Sequence, residues 1–424
     1  MTNSKKMTRI IYLALLVLLL LAPTLGLYPV FVMKLLCFAL FACAFNLLLG
    51  FTGLLSFGHA AFFGSAAYIT GWFIKSLSWT PELGILAGTL GAALIGIVVG
   101  LVAIRRQGIY FAMITLAIAQ MVFFACLQAP FTGGEDGLQG VPRGNLFGWL
   151  SLESDTAMYY FVVALCVLCF LFISRIVNSP FGQVLKMIRE NEPRAISLGY
   201  QVDRYKLLAF VLSAALAGLA GSLKTVVMGF ATLSDVHWSM SGEVILMTLL
   251  GGVGTFLGPV LGSTIVIGLQ NLLADKVGSW VTVIIGVIFV VCVLAFRKGI
   301  VGEAQAWLER RRQAAAKAKL LHHKPKTNKP NKANRFNSRL HPYLNGCKQL
   351  LIFKQTHTHA FALDFTQRQF VQSIRCNAAL HRHIGRELVH IDFADLLARE
   401  PCLAGQRAQY VARTDFFFAA TDNL

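Results

Sequence analysis

SPFGQVLKMIRENEPRAISLGYQVDRYK, residues 179–206, is the one long polar and basic stretch within residues 10–296, which are otherwise strongly apolar. On both sides of it, apolar runs of about 20 residues recur, the length that a helix needs to cross a bilayer. A multi-span membrane protein with one amphipathic insert usually presents that insert to a soluble partner. The stretch therefore predicts an all-α polytopic membrane protein with a cytosolic loop at 178–206.

The composition predicts the same class of protein. Of the 424 residues, 56% are hydrophobic and 14% are charged, whereas about a quarter of a soluble domain is charged. We interpret the first apolar run as a transmembrane helix, because it lacks the small-residue cleavage site of a signal peptide. The apolar segments fall at about 10–27, 29–50, 54–74, 84–104, 108–128, 157–177, 207–230, 241–273 and 279–296.

The distribution of positive charge predicts the orientation, since basic residues mark the cytoplasmic side. They cluster before residue 10, at Arg105 and Arg106, across 175–206 and at 297–298, whereas the loop at 129–156 is mainly acidic. Nine crossings would leave the last cluster outside. Splitting 241–273 at GGVGTFLGP, where glycine and proline break a helix, gives an even number of crossings and places the last basic cluster on the cytoplasmic side. The sequence thus predicts about ten membrane segments with both termini cytoplasmic.

No catalytic constellation is visible in the sequence. His59 and His237 are the only histidines before residue 301, and neither has a serine or cysteine partner in a recognisable arrangement. Cys166 and Cys169 have CxxC spacing, but they lie in an apolar run, where metal binding is not expected. No GxxxxGK[ST] phosphate loop occurs, so any nucleotide would be bound by another chain. We expect no enzyme activity, no cofactor and no metal.

The polar stretch itself predicts two short helices. Ser179 and Pro180 can start the first one, because proline is favoured in the first turn. Pro193 opens the second helix, and Gly199 closes it. Such a helix–turn–helix can dock in a groove of a partner protein, or it can lie on the lipid headgroups.

The residues of this stretch also carry a family resemblance. SPFGQVLKMIRENEPRAISLGY, followed by KLLAFVLSAALAGLAGSL, resembles the coupling loop of ABC importer permeases, and most closely the branched-chain amino acid permease family, M-type subunit. The resemblance covers about residues 10–300. Four further segments match in the order of that family: GLLSFGHAAFFGSAAY (Gly53–Tyr68), GIYFAMITLAIAQ (Gly108–Gln120), TGGEDGLQGVP (Thr132–Pro142) and GGVGTFLGPVLG (Gly251–Gly262).

The resemblance implies a type II ABC importer permease fold with ten membrane segments, like that of cobalamin importers, in a bacterial inner membrane. It implies three kinds of partner besides the lipid bilayer: a second, homologous permease subunit, ATP-binding cassette ATPase subunits and a periplasmic substrate-binding protein. Branched-chain amino acids are the expected substrates. Urea and short amides remain an alternative, because permeases for these compounds have similar motifs.

The candidate site residues fall into two groups. Glu190, Asn191 and Arg194 would lie at the turn between the short helices, where they could bind an ATPase groove. His59 could line the translocation path, or it could make a structural hydrogen bond. The ATPase-coupling candidates are Gly182, Arg189, Glu190, Asn191, Arg194 and Gly199; the translocation-path candidates are Ser56, His59, Gly251, Gly252 and Gly254.

Two further expectations concern polar residues at the ends of segments. Ser56 and His59 are three positions apart, and we expect them to share one face of a helix. Glu243 is expected in the first turn of an outer-side helix, where the helix dipole would stabilise its charge. The alternative for Glu243 is a contact with the substrate.

The C-terminal third of the chain differs in composition. Residues 1–300 carry 18 basic and 11 acidic side chains, a net charge of +7, and residues 301–424 carry 20 and 9, a net charge of +11. We expect a permease domain at 1–300, a charged helix end and disordered linker at 301–339, and a C-terminal tail at 340–424. The tail is expected to have no selected function, as after a frameshift or read-through. The alternatives are a basic tail that contacts anionic lipid or nucleic acid and a metal site made of its histidines.

Two other classes of membrane protein compete with an ATP-driven permease. A secondary transporter coupled to an ion gradient needs carboxylates inside the membrane. The acidic residues of this chain lie at segment ends or in loops, which disfavours that class. A membrane-bound sensor or scaffold that acts through the tail is the third possibility. We expect no nucleic-acid partner.

Overall fold

The computed structural model describes residues 17–303, apart from 25, 27, 147, 149 and 296–298. The expectations for residues 1–16 and 304–424, which include the linker and the tail, lie outside the described residues. The α-helices whose full extent lies within the described residues are α1 (Pro29–Thr52), α2 (His59–Ser76), α3 (Pro81–Ala103), α4 (Ile109–Gln128), α5 (Asp155–Asn178), α6 (Pro180–Glu190), α7 (Glu192–Ser197), α8 (Val202–Met228), α9 (Trp238–Gly251), α10 (Gly258–Val277) and α11 (Val281–Ala295).

Helix α8 lies at the centre of the fold and packs against α1, α2 and α3. Small residues let these helices approach closely, as is usual inside membranes. A Cβ on Gly96 of α3 would lie 2.6 Å from the Cβ of Ala214 on α8. Thr70 of α2 lies 2.8 Å from the hydroxyl oxygen of Ser222 on α8, so two buried polar groups satisfy each other. Close packing and paired hydroxyls thus hold the centre of the bundle together.

The outer layer is apolar on its exposed side. Helix α3 exposes Leu86, Leu90, Leu94 and Leu101, each by half or more of its surface. Within the part of the chain that the structure describes, five helices (α1, α3, α4, α5 and α8) are long and apolar enough to cross a membrane. An apolar exposed face is what a helix in contact with lipid requires, because no water is present to solvate polar groups.

The segments at one end of the bundle form short irregular structure. Strand β1 (Leu138–Gln139) pairs antiparallel with β4 (Phe230–Ala231), and β2 (Asn145–Leu146) pairs with β3 (Leu150–Ser151). Short 3₁₀ turns lie at Pro130–Thr132, Gly134–Asp136, Leu233–Asp235 and Gly278–Trp280. This end lies opposite α6 and α7, which follow the last residue of α5.

Two ion pairs lie at this end, one exposed and one buried. Arg143 contacts Asp155 at the start of α5, with 2.6 Å between nitrogen and oxygen. Lys224 of α8 contacts Asp235 at 2.6 Å, and both side chains are buried. The ammonium group of Lys224 also lies 4.8 Å from the ring centroid of Phe230, which adds a cation–π contact. These contacts fasten the segment between α4 and α5, and the one after α8, to the bundle.

The predicted break in the segment at 241–273 is confirmed, because α9 ends at Gly251 and α10 begins at Gly258. Gly252 and Gly254 between them have φ of 119° and 77°, values that side chains rarely allow. Pro259 lies in the first turn of α10, where its missing N–H costs nothing.

Candidate coupling surface and helix break

Helix α6 begins where the sequence predicts. The hydroxyl of Ser179 accepts a hydrogen bond from the backbone N–H of Gly182 at 3.3 Å, which caps the helix, and Pro180 follows. Gly182, Leu185 and Ile188 are buried at a spacing of three residues. The helix is therefore amphipathic, with one face against the bundle and the other face outward.

Helix α7 starts immediately after α6. The side-chain oxygen of Asn191 accepts a hydrogen bond from the N–H of Arg194 at 3.1 Å, so the coupling candidate Asn191 caps this helix. Gly199 ends the turn after α7 with φ of 86°, as the sequence predicts for a tight exit. Ile188, Ala195 and Val202 form a small buried cluster beneath the two helices.

Glu192 ties α7 to the rest of the bundle. Its carboxylate accepts hydrogen bonds from the ammonium group of Lys206 on α8 at 2.6 Å and from the amide of Gln107 at 2.9 Å. Lys206 is 3% exposed. Because Gln107 lies between α3 and α4, one carboxylate joins α7 both to α8 and to that loop.

The outward surface of α6 and α7 is partly charged and partly apolar. Glu190, Asn191 and Arg194 are exposed. Ile196 and Leu198, in the same polar stretch, are 58% and 61% exposed. Neither residue was among those predicted from the sequence to take part in coupling. Two apolar side chains in a polar stretch, outside the spacing of the buried face, were the signal that could have identified them.

Arg189 is exposed like Glu190 and Arg194, but it differs from them because its side chain contacts the end of a membrane helix. Its guanidinium donates a hydrogen bond to the carbonyl oxygen of Gly50 near the end of α1. Cβ atoms built on Gly53 and Gly254 would lie 3.2 and 3.0 Å from atoms of Arg189. The positive charge thus meets carbonyl groups at the C-terminal end of α1, where the helix dipole is negative. Nearby, the ammonium of Lys186 lies 5.7 Å from the ring centroid of Phe51.

The path candidates Gly251, Gly252 and Gly254 lie at the break between α9 and α10, and an asparagine of α1 holds that break. The side-chain oxygen of Asn46 accepts from the N–H of Gly254 at 2.9 Å, and its amide nitrogen donates to the carbonyl of Thr255 at 2.8 Å. Asn46 is 3% exposed. Asn46 was not among the residues predicted from the sequence, although a lone amide in an apolar helix is a recognisable signal.

Ser56 and His59 do not share a helical face, because α2 begins at His59 and Ser56 precedes it. The hydroxyl of Ser56 accepts from the N–H of Gly58 at 3.2 Å. The Nε2 atom of His59 lies 2.9 Å from the hydroxyl of Ser213, which donates to the carbonyl of Ala44 at 2.5 Å. His59 therefore links α2, α8 and α1.

The surroundings of His59 are aromatic. Its ring makes edge contacts with Phe45, Phe62 and Phe210, at centroid distances of 4.9, 5.7 and 6.3 Å. The side chain has no exposed surface. Of its two possible roles, this enclosure favours the structural hydrogen bond. Among the described residues, no group of three or more His, Cys, Asp or Glu side chains could hold a metal ion.

Glu243 does not lie in the first turn of its helix, contrary to the expectation. Helix α9 starts at Trp238, so Glu243 is its sixth residue, beyond the first turn where the helix dipole acts most strongly. Its carboxylate instead has a side-chain hydrogen bond with Gln270 of α10.

Residues 29–293, from the start of α1 to near the end of α11, match the model of the family described as branched-chain amino acid transport system / permease component. The chain belongs to this family. It is 30% identical over 258 residues to the high-affinity branched-chain amino acid transport system permease protein LivM of Salmonella typhimurium, covering 54% of this chain and 60% of the relative.

Two further relatives show how far the similarity extends. The probable branched-chain amino acid transport permease protein LivM of Methanocaldococcus jannaschii is 28% identical over 221 residues, 47% of this chain and 60% of the relative. LivH of Escherichia coli, a high-affinity branched-chain amino acid transport system permease protein, is 22% identical over 290 residues, 63% of this chain and 92% of the relative. The chain thus spans about three fifths of the length of the LivM relatives. No solved structure is significantly similar to it.

The family description identifies residues 29–293 as a permease component of a transport system. The apolar helices and the family together identify a multi-pass inner-membrane permease of the ABC type.

Proposed function

We propose that this chain is one of two homologous permease subunits in an ATP-driven importer of branched-chain amino acids. In this proposal the chain has the type II importer fold with ten membrane segments and both termini in the cytoplasm. ATP is hydrolysed on separate ATPase subunits, and a periplasmic binding protein delivers the substrate. The observation that carries the proposal is the family match along α1–α11, in relatives whose names specify branched-chain amino acid transport.

The surface of α6 and α7 suits docking of an ATPase subunit. Exposed Glu190 and Arg194 offer charges of opposite sign, and Ile196 and Leu198 offer apolar contact area beside them. Interfaces commonly combine an apolar centre with a polar rim. A helix pair lying on lipid headgroups would expose similar groups, so a crosslinking experiment must separate these two cases.

Contacts behind this surface suggest how movement would reach the membrane helices. Arg189 connects α6 to the end of α1, and Asn46 connects α1 to the break between α9 and α10. In our proposal, displacement of α6 by the ATPase changes the position of the break through these contacts. Arg189 and Asn46 act as positioning residues, while Gly251, Gly252 and Gly254 allow the backbone to bend beside the path.

The transport reaction is tested by reconstituting the chain with its second permease, ATPase and binding protein in vesicles. Labelled leucine should accumulate when ATP is supplied, and an uncoupler should not abolish the uptake. Uptake that collapses with the uncoupler at constant ATP would favour an ion-coupled transporter. Uptake of labelled urea or acetamide in place of leucine would favour the alternative substrate class.

Coupling is tested at α6 and α7. A cysteine at Asn191 should crosslink to the ATPase, and the double variant Glu190→Ala with Arg194→Ala should remain in the membrane but lose at least about 80% of its uptake, since charge-assisted contacts contribute about 1.5–3 kcal/mol each. The matched control is Arg204→Met, an exposed arginine on α8 beyond the helix pair. Wild-type uptake in the double variant would refute the proposed docking surface.

A further inference from the structure

A cleft lies at the end of the bundle opposite α6 and α7. It has a volume of about 280 Å³ and lies between the start of α1, the end of α8 and α10. Small-molecule sites start at roughly 300 Å³, so the size suits a ligand no larger than a single amino acid. Its lining residues are Tyr28, Val30, Phe31, Lys34, Met228 and Asn271.

Lys34 gives the cleft its positive charge. It is the one charged residue among the 24 of α1, a strongly apolar helix, and its side chain is partly buried. Among the described residues, none forms a hydrogen bond or ion pair with its ammonium group within 4 Å. Ionisable groups inside a membrane are costly and are retained mainly where they have a function. An anionic group of a ligand would supply the partner.

A negative charge lies near Lys34 on a different helix. Glu243 is the one charged residue of α9, and its charge interacts with that of Lys34. Glu243 does not line the cleft, but it lies close to Gln270 of α10, and the next residue, Asn271, does line it. The cleft therefore offers a cation and an amide on one side, with the Glu243 carboxyl group outside its lining, and the aliphatic and aromatic surface of Val30, Phe31 and Met228 on the other.

We infer that this cleft binds an aliphatic α-amino acid on its way through the permease, a proposal that rests on the proposed function. The α-carboxylate binds the Lys34 ammonium and the Asn271 amide, while the α-ammonium is attracted by Glu243. The branched side chain packs on Val30, Phe31 and Met228. Lys34 lies sixteen residues before Gly50, about 24 Å along α1, so the cleft and the coupling contact are at opposite ends of one helix.

This combination of groups discriminates among ligands. An apolar amine lacks the carboxylate that Lys34 needs, and an apolar acid lacks the ammonium that Glu243 attracts. Urea and short amides carry neither charge, and they cannot fill the apolar wall. A phospholipid headgroup also presents an anion to a lysine, so the experiment must distinguish a lipid from an amino acid.

The first measurement locates the ligand. The reconstituted complex is irradiated with a leucine analogue that carries a photoreactive diazirine in its side chain, and the labelled peptides are identified by mass spectrometry. Label should appear on the peptides that contain Val30, Phe31 or Met228. Leucine should compete for this labelling, and isoamylamine and isocaproate should not. Label elsewhere, or label at these residues that phospholipid displaces and leucine does not, would overturn the inference.

The second measurement uses variants in the uptake assay. With leucine-loaded binding protein at saturation, Lys34→Met should lower the maximal rate of leucine uptake at least about tenfold, as expected for a lost charge-assisted hydrogen bond to the passing substrate, while Lys34→Arg should retain most of the rate. The matched control is Lys276→Met, because Lys276 is an exposed lysine at the end of α10 and does not line the cleft.

A maximal rate for Lys34→Met within twofold of both wild type and Lys276→Met would overturn the inference. If Lys34→Met does not assemble, Asn271→Leu takes its place and should lower the maximal rate several-fold, with the same criterion. Leucine uptake by the wild-type complex is the reference in every experiment. If the wild-type complex takes up no leucine, the proposed function is refuted. If the wild type takes up leucine normally and the variants take it up equally well, only the proposed amino acid site in the cleft is refuted.

Discussion

Asn46 satisfies two backbone groups at once, because its amide nitrogen donates to Thr255 and its carbonyl oxygen accepts from Gly254. These backbone groups lie between α9 and α10, where no helical partner is available to them. A side chain of α1 thus replaces the hydrogen bonds that an unbroken helix would have made within itself. Unpaired backbone groups in a membrane cost several kcal/mol, so the break depends on this residue.

We predict that Asn46→Leu lowers the free energy of unfolding by about 1–3 kcal/mol and strongly reduces uptake, because two buried backbone groups lose their partners. Thermal unfolding of the purified protein in detergent measures the first effect. Thr89→Val is the control, since the hydroxyl of Thr89 donates only within its own helix, to Ile85. Equal stability of both variants would show that the break does not need Asn46.

Single residues were the hardest part to infer from the sequence. Arg189 was grouped with outward-facing candidates because its charge suits a cytosolic surface, yet it contacts Gly50. Its position one residue before Glu190 gave no sign of this, because its partner Gly50 is 139 residues away in the sequence. Lys34 was not selected, since its significance depends on α8 and α10, which are distant in sequence but border the same cleft.

At the scale of elements, the attachment of α7 depends on one carboxylate. Glu192 lies between Lys206 and Gln107, and the two charged partners differ in exposure: the side chain of Lys206 is 3% exposed and that of Glu192 is 22% exposed. Removal of Lys206 leaves Glu192 without its cation, but Glu192 can turn towards solvent and keeps the Gln107 amide as a hydrogen-bond donor. Removal of Glu192 leaves the ammonium group of Lys206 unpaired, and Lys206 cannot turn towards solvent. The two single variants should therefore lower the free energy of unfolding by different amounts.

We predict that Glu192→Met lowers the free energy of unfolding by about 3 kcal/mol, since a buried ammonium is left unpaired, and that Lys206→Met lowers it by about 1 kcal/mol. The double variant should recover part of the loss. Denaturant titration in detergent, together with protease cleavage after Arg194, measures stability and the release of α7. Equal costs for the two single variants would contradict this explanation.

Elements with strong local signals could be predicted from the sequence. Ser179 and Pro180 start α6, Gly199 ends the turn after α7, and the glycines at 251–254 interrupt the segment at 241–273. The pairs β1–β4 and β2–β3 could not be predicted, because strands of two residues carry no periodicity and β1 pairs with a strand about 90 residues later. The first residue of α2 was also mistaken, since the apolar run begins before the helix does.

At the scale of the whole molecule, the orientation in the membrane is the main prediction from charge. The basic residues of α6 and α7 belong inside, and the acidic segment before α5 belongs outside. In a variant without its native cysteines, a membrane-impermeant maleimide should label a cysteine at Glu153 in intact cells. It should label a cysteine at Ser197 only after permeabilisation. The reverse labelling pattern would contradict the predicted orientation.

The C-terminal composition leads to a second prediction at this scale. Ending the chain after Arg312 should leave insertion and uptake within about twofold of the full chain, because the segment beyond it lacks the apolar pattern needed to offset its ordering entropy. Limited proteolysis of vesicles should cleave first between His322 and Arg339. A protease-resistant fragment covering Leu340–Leu424, or loss of uptake on truncation, would contradict this prediction.

The break between α9 and α10 also constrains the order in which the protein can be assembled during synthesis. Helix α9 has 14 residues, about 21 Å, and is too short for a hydrocarbon layer of about 30 Å. Its freed backbone groups find their partner in Asn46, which precedes Gly254 by 208 residues. At roughly 5–20 residues per second, α1 leaves the ribosome about ten to forty seconds earlier. The nascent bundle must therefore keep the Asn46 amide accessible and unpaired by other helices until the last third of the permease domain arrives.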